Sequence, residues 1–251
     1  PPPPPTPRTR PPPTTTRVGI RRQRQMCIRD RAWSVALQLG DRVICRHEEQ
    51  AREHTRLLVP MINDVLEEGD MTPADLDAVV LGNGPGSFIG MRIAASVAQG
   101  LAHGAGIRIV PVSSMLAVAA QVMVAEGAGA VAVCQDAHMD EVYLGLYAAG
   151  SGGVPELLGA ERLHGQSVMS ELELEPGRFT AAGFGWQRYP LLLETNRALL
   201  AAVSPISHPS ARYLLAAGSA LVEAGAAIDP QDVVPAYLRQ TVAQPARPPG
   251  S

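Results

Sequence analysis

The chain of 251 residues contains no lysine, and all 21 of its basic residues are arginine. A Walker A phosphate loop requires a lysine, so this class of nucleotide site is excluded. The three cysteines, Cys27, Cys45 and Cys134, are odd in number and far apart, which excludes a disulfide framework and a zinc ribbon. No apolar run reaches the roughly 18 residues that a membrane helix needs. We therefore expect a soluble protein of the reducing cytoplasm.

The net charge of -3 conceals an uneven distribution of acidic and basic residues. Residues 1–31 carry eight arginines and one acid, Asp30, whereas the rest of the chain carries thirteen arginines and twenty-three acids. Affinity for nucleic acids comes largely from cations that neutralise phosphates, so an acidic body is a poor solitary binder of RNA. If this protein acts on RNA, we expect a partner to supply most of the binding.

Composition divides the chain into four parts. Residues 1–31 are rich in proline, threonine and arginine without apolar periodicity, which predicts a basic segment that is disordered or not native to the protein. The 46% of hydrophobic residues is enough for a substantial core in the remainder. Glycines around position 127 indicate a hinge, so we expect an N-terminal lobe over 32–127, a C-terminal lobe over 128–243 and a frayed tail over 244–251.

Local patterns from Trp33 onward predict an α/β fold. Alternating apolar residues on both sides of Gly40-Asp41 predict a hairpin, and three- and four-residue apolar spacing predicts a helix that starts near His54. Further elements are predicted in the second half: strands over 130–134, 141–147 and 179–182, a turn over 183–186, and a helix over 210–223 capped by Ser210.

The most informative stretch joins a predicted buried strand, Ala78–Leu81, to a predicted helix that Ser87 caps. Between them lies the glycine loop, residues 82–90, whose candidate site residues are Gly82, Gly84, Pro85, Gly86, Ser87 and Gly90. Such a junction directs backbone N–H groups to one place and can bind a phosphate or carboxylate. Two alternatives are a tight turn that folds the helix back onto its sheet, and a loop that positions the helix as a docking surface.

One turn concentrates acidic residues, namely Asp136, His138, Asp140 and Glu141. Paired carboxylates can bind a divalent ion or act as acid and base, but aspartate is also common in ordinary turns. His47 and His54 lack the arrangement of a metalloprotease site, and the chain has no Gly-x-Ser-x-Gly elbow. We therefore expect neither a catalytic residue nor a metal ligand in this chain.

Four motifs, in this order, resemble the bacterial TsaB (YeaZ) family. They occupy residues 52–55, 82–92, 136–143 and 235–239, and the resemblance covers residues 32–243. It implies the two-lobed fold of the actin, Hsp70 and sugar-kinase group, with a mixed sheet and packed helices in each lobe.

The resemblance also implies a function as a non-catalytic partner subunit. Proteins of this family form a heterodimer with TsaD, and the complex with the ATPase TsaE transfers a threonylcarbamoyl group from an adenylate made by TsaC. The acceptor is the adenosine beside the anticodon of tRNAs that read codons beginning with A. By this resemblance the chain itself has no cofactor, ATP and a divalent metal belong to the partner subunits, tRNA is reached through the complex, and no membrane is involved.

The family's partner face is formed by two helices, which correspond here to residues 54–68 and 87–103. By resemblance the interface residues are His54, Thr55, Leu58, Ile62, Arg92, Ala95, Ser96 and Gln99. Small residues in the second helix would let another helix approach closely. A homodimer through the same face is compatible with the sequence.

The sequence departs from the family pattern at two places. Ile89 stands where the family usually has threonine, which weakens the case for a polar ligand at the glycine loop. The family's first strand is apolar and ends in Asp-Thr-Ser, but here the strand reads Gln23-Arg24-Gln25-Met26 and its end reads Cys27-Ile28-Arg29-Asp30-Arg31, which predicts the loss of a central strand. The alternative functions are a small-molecule kinase-like or a metalloprotease-like enzyme of the same fold group.

Overall fold

The structure is a computed structural model that describes residues 24–29, 33–48 and 54–238, with only the backbone described for 24–29 and 54–56. The strands are β1 Arg24–Arg29, β2 Trp33–Leu39, β3 Arg42–Glu48, β4 Ala78–Gly82, β5 Arg108–Val112, β6 Ala130–His138, β7 Glu141–Ala148, β8 Glu156–Leu157, β9 Arg162–His164, β10 Thr180–Ala182 and β11 Ala202–Val203. The α-helices are α1 His54–Glu68, α2 Phe88–Ala105, α3 Ser114–Glu126, α4 Ser170–Leu174, α5 Phe184–Arg188, α6 Pro190–Asn196 and α7 Leu215–Glu223. None of the helices in these ranges has the length and apolar character needed to cross a bilayer.

The first lobe is built on a mixed sheet in the order β3-β2-β1-β4-β5. Strands β1, β4 and β5 run parallel, and β2 and β3 form the antiparallel hairpin predicted around Gly40. All five residues of β4 are buried, and successive side chains point to opposite faces. Val79 and Leu81 pack on α1 and α2, whereas Val80 packs on α7, so helices cover both sides of this sheet.

Strand β1 corrects the prediction that a central strand is lost, and it lies within the segment 1–31 that was predicted to be disordered or not native. Residues 24–29 form the central strand, in which Met26 pairs with Leu37 of β2 and with Val79 of β4. Strand pairing uses backbone N–H and C=O groups, so a polar segment between two apolar strands can complete the sheet. The rest of the segment, residues 1–23 and 30–31, and the tail at 244–251 lie outside the described residues.

The second lobe repeats this layout. Its sheet has the order β11-β10-β6-β7-β8, and β9 also pairs with β7. Strands β6, β10 and β11 are parallel and β7 is antiparallel to β6. Helix α3 covers one face through Met115 and Val118, and α5 covers the other through Trp186. Two mixed sheets with packed helices confirm the predicted α/β class.

The C-terminal segment changes the predicted lobe boundary. Residues 128–243 were assigned to the second lobe, but residues 211–238 return to the first sheet. The backbone of Ile228 bonds to that of Ile109, and the Ala211 N–H donates to the Ser34 hydroxyl at 2.9 Å. Sequence patterns do not reveal such a return because it depends on contacts between distant residues.

Two local predictions in the second half need correction. The helix expected over 210–223 is present, but it begins with a 3-10 turn, Ala211–Leu214, and the Ser210 side chain makes no capping hydrogen bond. The turn expected over 183–186 is instead the start of α5. In both places packing against a sheet determines the backbone conformation, and the local sequence does not reveal this packing.

Candidate functional site

The glycine loop is fixed by the start of α3. The Asn83 N–H donates to the Val112 carbonyl at 2.8 Å, and the Gly84 N–H donates to the Ser114 hydroxyl at 3.0 Å. The Ser114 N–H in turn donates to the Gly84 carbonyl at 2.6 Å. Two amide donors that an anion would need therefore bind within the protein, and Pro85 has no N–H to offer.

The other loop residues hold α2 in place. Ser87 caps the helix as predicted, because its hydroxyl accepts from the Gly90 N–H at 3.3 Å. Gly84 has a φ of 87°, and a Cβ there would lie 2.5 Å from the Met91 sulfur. Gly82, Gly84, Pro85 and Gly90 are buried, while Gly86 and Ser87 are half-buried. These contacts support the turn and docking interpretations over an anion site.

A C-terminal strap, residues 229–238, crosses the loop and α2. The Asn83 side-chain amide donates to the Val234 carbonyl at 2.9 Å, and the Ala236 N–H donates to the Asn83 carbonyl at 3.3 Å. Gln99 of α2 donates to the carbonyls of Pro230 at 2.8 Å and Val233 at 3.4 Å. Gln99, predicted to contact a partner, therefore binds the strap of its own chain.

Arg92 links α2 to the strap at the surface. Its guanidinium lies 3.7 Å from the centre of the Phe88 ring, and its Nε donates to the Tyr237 hydroxyl at 3.0 Å. The Phe88 and Tyr237 rings are 5.5 Å apart. A cation over an aromatic face is attractive, so Arg92 joins both rings into one surface cluster.

The predicted partner face is only partly exposed. Leu58, Ile62 and Ala95 are buried in the core of the first lobe, so their side chains do not lie on the exposed surface of α1 and α2. The family resemblance that assigned them to a partner face does not distinguish the sheet-facing side of a helix from its outer side. Arg92 and Ser96 are exposed. His54 and Thr55 begin α1, and their side chains lie outside the description.

A cleft of about 160 Å³ opens between the glycine loop, the β6–β7 turn and the strap. Its lining residues are Gly86, Phe88, Met91, Ala137, His138, Met139, Tyr143 and Tyr237. Sequence reasoning missed this cleft, although three of the motifs that carry the family resemblance supply its walls. The missing information was their spatial juxtaposition.

Asp136 organises the β6–β7 turn. Its carboxylate is buried and accepts hydrogen bonds from the Tyr189 hydroxyl and the His138 N–H, each at 2.8 Å. The His138 ring nitrogen Nδ1 lies 3.5 Å from the same carboxylate. Burial, together with the bond to Asp136, raises the pKa of Tyr189 to about 12. Asp136 thus has a structural role, because its hydrogen bonds connect the turn to Tyr189.

The other members of the predicted acidic cluster do not form a metal site with Asp136. His138, Met139 and Asp140 all have positive φ values, near 60°, and all three residues are exposed. Within the described ranges, no three His, Cys, Asp or Glu side chains are grouped to hold a metal ion. His47 lies on β3 and His54 at the start of α1, so they occupy different elements.

A carboxylate connects the two lobes behind the glycine loop. The hydroxyls of Ser113, which precedes α3, and Tyr147, on β7, both donate to Glu161. The Ser113 hydroxyl also accepts from the Met115 N–H at 3.1 Å and so caps α3. Because the adjacent Ser114 binds the glycine loop, this junction ties the loop to the second lobe.

The chain is similar to known proteins over most of its length. A family model described as "TsaD: tRNA N6-adenosine threonylcarbamoyltransferase" matches residues 47–246. The tRNA threonylcarbamoyladenosine biosynthesis protein TsaB of Escherichia coli (strain K12) is 32% identical over 213 residues, which are 84% of this chain and 92% of that protein. The protein of the same name from Haemophilus influenzae is 30% identical and aligns with 84% of this chain and 90% of its own.

A solved structure shows the same arrangement of both lobes. It is the crystal structure of an uncharacterized protein with similarity to peptidase YEAZ from Pseudomonas aeruginosa, at a TM-score of 0.77 and 30% identity. The match covers 86% of this chain and 99% of that one. It confirms the two-lobed fold class that the sequence predicts.

Proposed function

Since the chain belongs to the TsaB family, we propose that it serves in the formation of threonylcarbamoyladenosine in tRNA as a non-catalytic subunit. The observation that carries this proposal is the 32% identity to Escherichia coli TsaB over 92% of that protein. Its place of action would be the cytoplasm, where the tRNA substrates are modified.

The partner in this proposal is a TsaD-type protein that binds the exposed sides of α1 and α2. Val59 on α1 and Arg92 and Ser96 on α2 are exposed there. The glycine loop, Ser87 and the strap all fix the start of α2, and such a rigid helix loses little conformational entropy when it binds. A TsaE-type ATPase joins the complex, and ATP, a divalent metal and the tRNA bind to the partner subunits.

The acidic charge of the chain supports this division of tasks. The described residues 33–48 and 54–238 contain twenty-one acids and ten arginines, a difference of -11. This net negative charge repels the phosphates of tRNA, so most of the affinity for tRNA would come from the other subunits. The chain would contribute by holding its partner in an active shape.

Size-exclusion chromatography with light scattering tests the proposal. We expect the chain and Escherichia coli TsaD to form a one-to-one complex, and Ser96→Arg to abolish it because a long side chain keeps the helices apart. Ala216→Arg, on the exposed side of α7, is the matched control and should leave the complex intact. Failure of the wild-type chain to bind would count against the proposal, and the mass of the chain alone would reveal a homodimer.

Activity provides the second test. A mixture of TsaC, TsaD and TsaE with unmodified tRNA, ATP, threonine and bicarbonate, which supplies the carbamoyl carbon, should form threonylcarbamoyladenosine only when this chain is added. Ser96→Arg should remove that stimulation and Ala216→Arg should retain it. Equal product with and without the chain would overturn the proposed role.

A further inference from the structure

The cleft lies within a patch of large apolar side chains that folding leaves exposed. The exposed fractions are 42% for Phe88, 70% for Ile89, 52% for Met139 and 39% for Tyr237. Phe88, Met139 and Tyr237 line the cleft, and Ile89 follows Phe88 at the start of α2. A contiguous apolar patch around a concavity is typical of a site that binds another molecule.

The size and chemistry of the cleft define the group that fits it. Its volume of about 160 Å³ is close to that of a cavity known to take one benzene ring, about 150 Å³. None of its lining residues is an arginine, and the nearby Arg92 is engaged by Phe88 and Tyr237. The cleft therefore suits one aromatic ring or branched aliphatic group and is unsuited to a phosphate.

The turn that forms one wall is fixed in an unusual backbone conformation. Met139 has a φ of 56° and lies between His138 at 61° and Asp140 at 60°. Three consecutive residues other than glycine in this region cost conformational energy, and such strain is concentrated at binding and active sites. The buried Asp136 carboxylate stabilises the turn through the His138 N–H. Met139 is thereby presented to the solvent, where its thioether can adapt to an apolar group.

We propose that this cleft receives a single aromatic or branched apolar side chain from a basic segment of the protein partner. The basic character follows from the charge of -11 over the described residues 33–48 and 54–238 and from the exposed Asp140, which follows the cleft residue Met139 in the chain. The apolar patch is wider than one ring, which favours a protein over a free small molecule. The exposed Phe88 lies one helical turn before the exposed Arg92 on α2, so the cleft continues the face assigned to the TsaD-type partner, and the inference rests on that proposed function.

Two substitutions should remove the site without damage to the fold. In Met139→Asp the new residue tolerates a positive φ better than methionine does. In Ile89→Asp the new carboxylate occupies the first turn of α2, where a negative charge is favourable. Leu174→Asp is the matched control, because Leu174 is exposed on α4 and does not line the cleft. All three variants should retain the circular dichroism spectrum of the wild type.

The decisive measurement is isothermal titration calorimetry with Escherichia coli TsaD. A carboxylate in the apolar patch should weaken the binding of the partner's side chain. We expect the affinity of the complex to fall about 30-fold for Met139→Asp and somewhat less for Ile89→Asp. Leu174→Asp should bind like the wild type. If TsaD binds the wild type and Met139→Asp equally, the cleft is not an anchor site, although the proposed function stands.

A second measurement keeps the cleft testable if TsaD does not bind at all. In an NMR titration, N-acetyl-phenylalaninamide should shift the Met139 and Met91 methyl signals of the wild type in a saturable way, and Met139→Asp should abolish the shift of Met91. Absence of a saturable shift would overturn the inference. Binding of unmodified tRNA by the wild type that Met139→Asp abolishes would also overturn it, in favour of an RNA base as the occupant.

Discussion

The two lobes share a strand order but use the same junction in different ways. In the first lobe, β4 leads through residues 83–87 into the 18-residue helix α2. In the second lobe, the equivalent strand β10 leads through Gly183 alone into the five-residue helix α5. A Cβ on Gly183 would lie 2.2 Å from the Cys134 carbonyl oxygen, so this glycine lets α5 pack directly on β6.

The difference teaches that a glycine between a strand and a helix does not identify a binding site by itself. The glycine of the second lobe serves the packing of its own sheet and is covered on all sides. The glycine loop of the first lobe also makes structural contacts, but its helix begins with exposed apolar residues beside a cleft. The two junctions differ in whether apolar residues at the start of the helix are exposed, and the glycine pattern alone does not reveal this difference.

The largest expected effect comes from replacement of these two glycines. Gly183→Ala should destabilise the protein by about 4 kcal/mol, because the new methyl group meets backbone and φ is 103°. Gly84→Ala should cost about 2 kcal/mol, because its φ of 87° is strained but the Met91 side chain can move. Urea denaturation followed by tryptophan fluorescence measures both values.

Trp33 and Trp186 report on the first and second lobe respectively. Each glycine variant should therefore be measured in Trp33→Phe and Trp186→Phe backgrounds, with the two single tryptophan variants as references. An equal or greater loss for Gly84→Ala would contradict the distinction between the two junctions.

Removal of the Tyr189 hydroxyl tests the turn of the second lobe. Tyr189→Phe takes one donor from the buried Asp136 carboxylate, and we expect a loss of about 2 kcal/mol. Because the pKa of Tyr189 is raised to about 12 from an ordinary value of about 10, the folded state favours the protonated phenol. This contribution is present below pH 10 and is lost as the pH rises from 10 to 12.

Denaturation curves between pH 9 and pH 12 check this sign. The wild type should lose more stability over that interval than Tyr189→Phe does. The control is Tyr213→Phe, which removes a phenol whose ring packs beside α7 in the first lobe. Parallel pH curves for the wild type and Tyr189→Phe would refute the assignment.

The contact between the lobes has a smaller expected effect. Ser113→Ala removes the cap of α3 and one donor to Glu161, and a loss of about 1.5 kcal/mol is expected. Ser113→Thr retains a hydroxyl and should recover part of the stability. If Ser113→Ala is as stable as the wild type, the Glu161 junction does not connect the lobes energetically.

Local interactions explain which elements the sequence predicts. The apolar run of β4, the Ser87 cap and the Gly40 hairpin depend on neighbouring residues, and the structure confirms them. Strand β1 was missed because its place depends on backbone pairing with two other strands. Composition describes side chains and contains little information about such pairing.

The candidate site was less predictable because its contacts join distant residues. Arg92 and Tyr237 are 145 positions apart, and Asn83 and Val234 are 151 apart. The family resemblance indicated α1 and α2 but not which side of each helix is covered, so Leu58 was assigned to the surface although it belongs to the core. Only the fold distinguishes these two sides.

The smallest expected effects are at one ion pair in each lobe. In the second lobe, burial raises the pKa of Glu171, but its backbone hydrogen bond and Arg162 outweigh this and lower the pKa overall. In the first lobe, the hydrogen bond from Arg46 lowers the pKa of Glu68. Both carboxylates therefore stabilise the fold above their ordinary pKa of about 4.3, and this contribution is lost as the pH falls through the lowered value.

Arg162→Gln should cost about 0.5 kcal/mol, since both partners are partly exposed, and Glu68→Gln should cost less than urea denaturation can resolve. Urea denaturation at pH 7 and at pH 3 tests the contribution of the Arg162–Glu171 pair. The stability of Arg162→Gln should approach that of the wild type at the lower pH. Added salt should reduce the effect of Arg162→Gln as well, since partly exposed charges are screened. A larger loss for Glu68→Gln than for Arg162→Gln would mean that the hairpin edge of the first lobe depends more on charge than the second lobe does.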